Sequence, residues 1–155
     1  MSEDGHSGDR EFAELVRNAP LVSMDFVIRD SHRRVLLCLR QHEPAKNCFF
    51  VPGGRIRKNE TLAQAFERIL EAETGCRAAI VDAEFMGVYQ HFYPTNRFER
   101  EGYGTHYVVL AYQITLDVGL EIKLDSQHST YFWADELAIA AMSDVHEYTK
   151  TYFRA

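Results

Sequence analysis

The segment 54–76 constrains the fold more than any other part of the chain, because it specifies a loop, a helix and a second loop in succession. Between Thr61 and Thr74, apolar side chains recur at helical spacing, and Gly75 stands where such a helix ends. The apolar face consists of Leu62, Ala65, Phe66, Ile69 and Leu70. We therefore predict a helix over residues 61–74 that packs against a core.

The remaining pattern mixes strands and helices without a regular strand–helix–strand repeat. Residues 1–9 are small and polar, which predicts a flexible N-terminus followed by a single domain over residues 10–155. Strands are predicted over residues 21–28, 34–39, 48–52, 83–92, 105–115 and 130–133, and helices over 10–18, 134–142 and 145–153. This mixture indicates an α/β fold with a mixed β-sheet sandwiched between α-helices.

Composition narrows the possible partners. The chain has 155 residues, with 17 Lys and Arg against 23 Asp and Glu and a net charge of −6. The chain contains no run of like charges, which argues against nucleic acid or an anionic membrane as its main partner. The three cysteines, Cys38, Cys48 and Cys76, match no paired metal-ligand spacing and are expected to be reduced. No apolar run approaches the ~20 residues of a membrane span, so we expect a cytoplasmic protein.

The segment 54–76 resembles the signature of the Nudix hydrolases, through Gly54, Glu60, Arg68, Glu73 and Gly75. That signature carries three glutamates near the end of its helix, of which two are replaced here by Ile69 and Ala72. Hard cations need several oxygen ligands, so one carboxylate cannot hold the cluster of cations that serves pyrophosphate cleavage. The resemblance therefore implies a Nudix fold with a loop–helix–loop box whose chemistry has moved elsewhere.

Further segments are similar to the GDP-mannose mannosyl hydrolases, the Nudix branch that lacks two of these carboxylates. They include PLVSMDF (20–26), FVPGGR (50–55), GVYQHFY (87–93), THYVVL (105–110) and DSQH (125–128). The resemblance implies hydrolysis of GDP-mannose, or less selectively GDP-glucose, to GDP and free hexose, with water attacking the anomeric carbon with inversion. It also implies one Mg²⁺ per subunit, with Mn²⁺ as a substitute, and a homodimer. The loop 93–104 does not align, which leaves the preference for mannose or glucose open.

The resemblance implies three metal ligands: the backbone carbonyl of Gly53, the carboxylate of Glu73 and the side chain of Gln127. An all-oxygen set of this kind suits Mg²⁺. Taken alone, Gln127 would be interpreted as a loop residue bonded to backbone, and its place in the DSQH match carries the assignment.

The resemblance also implies that His128 is the general base and that Arg40 and Arg55 bind the diphosphate and stabilise the leaving group. An imidazole with a pKa near 6.5 can accept a proton from water. A planar guanidinium can grip two phosphate oxygens at once. For Arg40, the solvated end of a strand is the alternative interpretation.

Asp25, His91 and Tyr107 match positions that bind the sugar. Asp25 interrupts an apolar strand, and a buried carboxylate is costly unless it is paired or hydrogen-bonded. His91 and Tyr107 lie in aromatic strands, where a core role is an equal alternative. We expect Glu60 and Arg68 to form a structural ion pair that braces the loop–helix–loop.

Two other functions stay open. A Nudix pyrophosphohydrolase would cleave a nucleoside diphosphate derivative at phosphorus, with Glu73 or Glu71 as its residual cluster. A catalytically inactive nucleotide-binding module would also tolerate the loss of two glutamates. The presence of His128 beside Gln127 favours an enzyme, because a sensor needs no base.

Overall fold

The structure, a computed structural model, describes residues 3–116, 122–123 and 128–154. Within these ranges, the strands are β1 Leu21–Arg29, β2 Val35–Arg40, β3 Phe49–Phe50, β4 Gly53–Arg55, β5 Glu84–Tyr93, β6 Thr105–Thr115 and β7 His128–Ala134. The helices are α1 Glu3–Asn18, α2 Leu62–Thr74, α3 Glu136–Ile139 and α4 Glu147–Lys150, with 3₁₀ turns at Ile80–Asp82 and Thr151–Phe153. No helix in these ranges is long and apolar enough to cross a membrane.

The strands form one mixed sheet around β1, as predicted. β1 runs parallel to β6 along its whole length and antiparallel to β2 and β4. β6 pairs antiparallel with β5, and β2 pairs antiparallel with β3 and β7. The first two strands form a hairpin, in which Arg29 is paired with Val35.

Alternation along β1 divides the core between the two faces of the sheet. Met24, Phe26 and Ile28 are fully buried in the cluster that contains Ala65, Phe66, Ile69 and Leu70 of α2. The fifth residue of the predicted apolar face, Leu62, is exposed. On the other face, Val27 packs with residues of the C-terminal segment, among them Tyr152. Burying each large side chain contributes about 1.5–3 kcal/mol, so both layers are needed to hold the sheet. The prediction of helices on both faces is confirmed.

The predicted helix of the box is capped at both ends by local residues. The Thr61 hydroxyl accepts a hydrogen bond from the Gln64 backbone N–H at 3.1 Å, and the Gln64 side chain accepts one from the Thr61 N–H at 2.9 Å. Gly75 has a φ of 75°, a left-handed conformation that favours glycine, and its N–H donates to the Glu71 carbonyl at 2.8 Å. The sequence therefore specifies α2 by itself.

Some boundaries differ from the predictions. α1 begins at Glu3, whereas the prediction began at residue 10. The first turns were missed because the glycines and small polar residues of this segment show no helical pattern. The flexibility of residues 1–9 stays a prediction. The C-terminal helices are short, with four residues in each of α3 and α4.

The strand β4 was not predicted, because two of its three residues are glycines. It forms through pairing with β1, opposite Ser23, Met24 and Asp25. Gly54 also allows α2 to approach, since a Cβ at this position would lie 2.8 Å from a methyl carbon of Ile69. The isoleucine in place of the signature glutamate therefore packs directly against β4.

Candidate active site

A cleft of about 510 Å³ is lined by residues from α1, β1, β2, β3, β4, α2, β5 and β6. It brings together the predicted site residues that the structure describes with their side chains. These are Asp25, Arg40, Gly53, Arg55, Glu73, His91 and Tyr107. They come from six separate elements, so the clustering is a result of the fold and not of their spacing in the chain. Their individual roles stay predictions.

Two predicted residues are described in part or not at all. Gln127 and the side chain of His128 lie outside the described residues. The backbone of His128 begins β7 and is paired with that of Arg40, a residue of the cleft. The pairing of the strands thus brings the predicted base to the strand end that carries one of the predicted phosphate ligands.

Two aromatic rings hold the predicted phosphate-binding arginines. The guanidinium carbon of Arg55 lies 4.3 Å from the centre of the Phe12 ring, and that of Arg40 lies 5.1 Å from the centre of the Phe50 ring. Such contacts orient a cation over a ring face. Burial lowers the pKa of Arg55, but a guanidinium stays charged at neutral pH. Sequence reasoning did not identify Phe12 as a partner of Arg55, since nothing in the chain pattern shows that α1 crosses the cleft.

The predicted structural ion pair is confirmed. Arg68 Nε donates to Glu60 Oε2 at 2.6 Å, and Arg68 Nη2 donates to Glu60 Oε1 at 2.7 Å. The same Nη2 donates to the Arg55 carbonyl at 2.8 Å, which ties α2 to β4. The hydrogen bonds from Arg68 hold the pKa of the Glu60 carboxyl down at about 2. Arg68 therefore supports the backbone of a predicted phosphate ligand.

The acidic end of α2 places two glutamates in different surroundings. Glu73 is 7% exposed and lines the cleft, whereas Glu71 is exposed and pairs with Arg77 at 3.0 Å. Ile69 is in the core at 1% exposure. In the part of the chain that the structure describes, no three His, Cys, Asp or Glu side chains form a metal-binding group. The carboxylate of Glu73 and the backbone of Gly53 at the same cleft are oxygen donors of the kind that fit a single hard cation.

Asp25 lines the cleft, with Tyr152 bonded to one of its oxygens and Gly53 beside the other. Its Oδ2 accepts a hydrogen bond from the Tyr152 hydroxyl at 2.5 Å. Its Oδ1 faces β4, where a Cβ on Gly53 would come within 2.3 Å of it. Burial raises the pKa of Asp25 to about 6, although the hydrogen bond from Tyr152 and the charge of Arg40 act against this rise. Asp25 therefore changes its charge near pH 6.

His91 is 4% exposed and lies between two tyrosines of the C-terminal segment. Its ring stacks on Tyr148, with centres 4.3 Å apart and planes at 6°, and its Nε2 lies 3.5 Å from the Tyr152 hydroxyl oxygen. Burial, helped by His146 and Arg40, lowers the pKa of His91 to about 4. The imidazole is therefore neutral at neutral pH. We refer to Asp25, His91, Tyr148 and Tyr152 as the tyrosine wall.

Tyr107 lies beside this wall, because its backbone pairs with that of His91 in the β5–β6 ladder. Burial raises the pKa of the Tyr107 phenol, which keeps it protonated and able to donate a hydrogen bond. Sequence reasoning missed Tyr148 and Tyr152. Their spacing of four residues in the segment 145–153, which puts them on one face of a helix, could have indicated them.

Comparison with known proteins agrees with this architecture. Residues 19–153 match the family model described as NUDIX domain. The low-salt glycan biosynthesis protein Agl8 of Haloferax volcanii is 42% identical over 122 residues, which cover 78% of this chain and 74% of that protein. The ADP-ribose pyrophosphatase of Methanocaldococcus jannaschii is 34% identical over 70 residues, or 45% of this chain and 40% of that protein.

Among solved structures, the MutT NUDIX hydrolase from Burkholderia pseudomallei superposes with a TM-score of 0.71 at 21% identity. The match covers 88% of this chain and 97% of that one, and it shows the shared fold. The family match extends over most of the chain and includes the described elements of the cleft except α1. On the sequence match and the fold together, this chain belongs to the NUDIX family of hydrolases.

Proposed function

We propose that the chain is a Mg²⁺-dependent GDP-sugar hydrolase that releases GDP and free hexose from GDP-mannose. The observation that carries the proposal is the depleted box, in which Ile69 is buried in the core and Glu73 remains at the cleft. Attack on phosphorus, which is crowded by negative oxygens, benefits from several cations. Attack at an anomeric carbon instead requires stabilisation of a departing diphosphate, for which one cation and arginines suffice.

The cleft carries groups that suit both halves of such a substrate. The guanidinium groups of Arg40 and Arg55 supply paired N–H donors for diphosphate oxygens. Asp25, His91 and Tyr107 supply an acceptor, a neutral imidazole and a phenol, which are groups that bind sugar hydroxyls. Cationic groups and hydrogen-bonding groups in one cleft favour a diphosphate joined to a polyol.

One Mg²⁺, or Mn²⁺ in its place, would be held by the carbonyl of Gly53, the carboxylate of Glu73 and the side chain of Gln127. Bound there, it would act as a Lewis acid toward the negative charge of the diphosphate. Among the described residues, Arg40 and Arg55 would bind the same negatively charged diphosphate, and Arg68 holds the Arg55 carbonyl in place.

His128 would take the proton from the attacking water. An inverting hydrolase places its base on the face of the sugar opposite the leaving group. The backbone pairing of His128 with Arg40 supports this assignment, because it starts β7 beside the cleft. The similarity to a protein named for glycan biosynthesis supports a substrate that contains a sugar.

The second candidate is a pyrophosphohydrolase that cleaves a nucleoside diphosphate derivative at phosphorus. The similarity to a protein named ADP-ribose pyrophosphatase favours it. Glu71, the other carboxylate considered for a residual cluster, is exposed and paired with Arg77. That position weighs against the second candidate, since Glu71 lies away from the residues that line the cleft.

Hydrolysis of GDP-mannose with Mg²⁺ in ¹⁸O-labelled water tests the choice. We expect the label in the released hexose and none in the nucleotide. Label in a phosphate product would mean attack at phosphorus and would replace the proposal by the second candidate. Absence of any hydrolysis, together with tight binding of GDP, would favour a nucleotide-binding module.

A homodimer belongs to the same proposal and is tested by sedimentation of the purified chain.

A further inference from the structure

We infer that Tyr152 is a positioning residue, whose hydroxyl fixes the carboxyl of Asp25 in the orientation that receives the sugar end of the substrate. The inference rests on the proposed function and adds to it a residue from the C-terminal segment. Tyr152 is 6% exposed, packs in a core cluster and is not among the residues that line the cleft, so it acts on the substrate through Asp25.

The first step is the assignment of both carboxyl oxygens of Asp25. Oδ2 receives the Tyr152 hydroxyl at 2.5 Å, and Oδ1 is directed toward Gly53. An Asp side chain turns readily about its last torsion, so a single contact would leave its carboxyl plane poorly defined. Gly53 has no side chain and so leaves room for Oδ1, and the phenol of Tyr152 holds the carboxyl through Oδ2.

The second step concerns the proton of the phenol. A tyrosine hydroxyl has one proton to donate, and here it is directed to Asp25. The Tyr152 oxygen can therefore act only as an acceptor toward His91 Nε2, which lies 3.5 Å away. One hydroxyl thus contacts two of the predicted sugar-binding residues, Asp25 in β1 and His91 in β5.

The third step is the rigidity of Tyr152 itself. Its ring makes an edge-on contact with Tyr89, with centres 4.8 Å apart, and packs in the core cluster of Val27 and Ile139. A hydroxyl on a ring held in this way has a fixed position, which is what an orienting group requires. Removal of the hydroxyl oxygen would leave the ring and its packing in place.

The test is a double-mutant cycle of Tyr152→Phe and Asp25→Ala, with kcat and KM measured on GDP-mannose with Mg²⁺. Tyr152→Phe should lower kcat/KM by about 10- to 100-fold, mainly through kcat, because a misoriented carboxyl leaves the sugar poorly placed for attack. In the Asp25→Ala background, the same change should cost less than about threefold, since there is no longer a side-chain oxygen for the Tyr152 hydroxyl to orient.

Binding of GDP and thermal melting provide the matched readouts. GDP lacks the sugar, so its affinity should stay within about twofold of that of the unmodified chain in Tyr152→Phe. Tyr112→Phe is the control, because Tyr112 is also buried but packs against Phe66 on the other face of the sheet. It should leave kcat/KM unchanged.

Independent, multiplicative losses in the double variant would overturn the inference, as would unchanged activity of Tyr152→Phe. An equal weakening of GDP binding, or a melting temperature below that of the assay, would show a structural role and overturn it as well. Failure of the unmodified chain to release mannose would instead overturn the proposed function, and the inference with it.

Discussion

The two sides of the cleft are built in opposite ways. On the side of the box, Arg68 bonds to Glu60 and to the Arg55 carbonyl, which are 8 and 13 positions away in the chain. On the side of the tyrosine wall, Tyr152 contacts Asp25 and His91, which are 127 and 61 positions away. One side is a local structure, whereas the other exists only when distant segments are packed together.

This difference has an energetic consequence. The capping contacts and the ion pair of the box are close in sequence, so little chain entropy is lost in forming them. The wall gathers a carboxyl, an imidazole and two phenols from distant parts of the chain, and burial shifts the pKa of Asp25 up and that of His91 down. A region that holds titratable groups in such states is a candidate for function.

The largest effect is expected at His128, which belongs to neither side and whose backbone is paired with that of Arg40. His128→Gln should lower kcat by about 10²–10⁴-fold, because glutamine cannot accept a proton at neutral pH. The activity of the unmodified chain should fall as the pH drops through the histidine pKa, and this acidic limb should vanish in the variant. Titration of the Mg²⁺ requirement should give a similar midpoint in both proteins.

Asp25 complicates that pH profile, because its pKa of about 6 lies in the same range. A His128→Gln enzyme that retains near-normal kcat and the full acidic limb would move the base elsewhere, with Asp25 and His91 as the next candidates. The base would then belong to the tyrosine wall.

The next largest effect is expected at Glu73, on the local side. Glu73→Gln should remove at least about 99% of the activity, since a bound cation contributes several kcal/mol to charge stabilisation. Glu71→Gln is the matched control and should have a mild effect, because Glu71 is exposed and pairs with Arg77. Steady-state rates across a range of Mg²⁺ concentrations measure both, and equal losses would mean that the metal site is misassigned.

Arg55 joins the two kinds of region, since its carbonyl is held by Arg68 and its guanidinium by Phe12. Arg55→Ala should lower turnover by about ten- to a thousandfold, because negative charge grows on the diphosphate as the sugar bond breaks. Separate kcat and KM values check this. A rise in KM with unchanged kcat would make Arg55 a binding residue alone.

The smallest effect concerns stability against pH and tests the wall without any substrate. The pKa of His91 is lowered from its ordinary 6.5 to about 4, so the native state binds fewer protons than the unfolded chain between these values. The free energy of unfolding that depends on the neutral imidazole is therefore fully present above pH 6.5. It is lost as the pH falls toward 4, by up to about 3 kcal/mol.

Urea unfolding at a series of pH values measures this loss as a difference between the unmodified chain and His91→Gln. The difference is needed because Asp25, with a raised pKa, acts in the opposite direction between pH 3.8 and about 6. His32→Gln, in the exposed turn after β1, is the control and should leave the slope unchanged. A slope that is identical in His91→Gln would show that His91 is not held neutral.

The sequence by itself determined the local half of this protein. The helix α2 and its end at Gly75 depend on neighbouring residues and were predicted correctly. Of the predicted apolar face, Leu62 is exposed in the first turn, and the cap formed by Thr61 was not predicted. The ion pair of Glu60 and Arg68 was also predicted, since its partners are close along the chain. Short-range hydrogen bonds and helical periodicity are readable from spacing because the intervening chain leaves them few alternatives.

Only the tertiary structure decided the other half. β4 is a strand because β1 provides its hydrogen-bond partners, and Tyr152 reaches Asp25 because the C-terminal segment packs on that face of the sheet. Phe12 covers Arg55 because α1 crosses the cleft. Residue types and spacing do not encode such contacts, since they follow from the burial of whole faces and from the order of strands in the sheet.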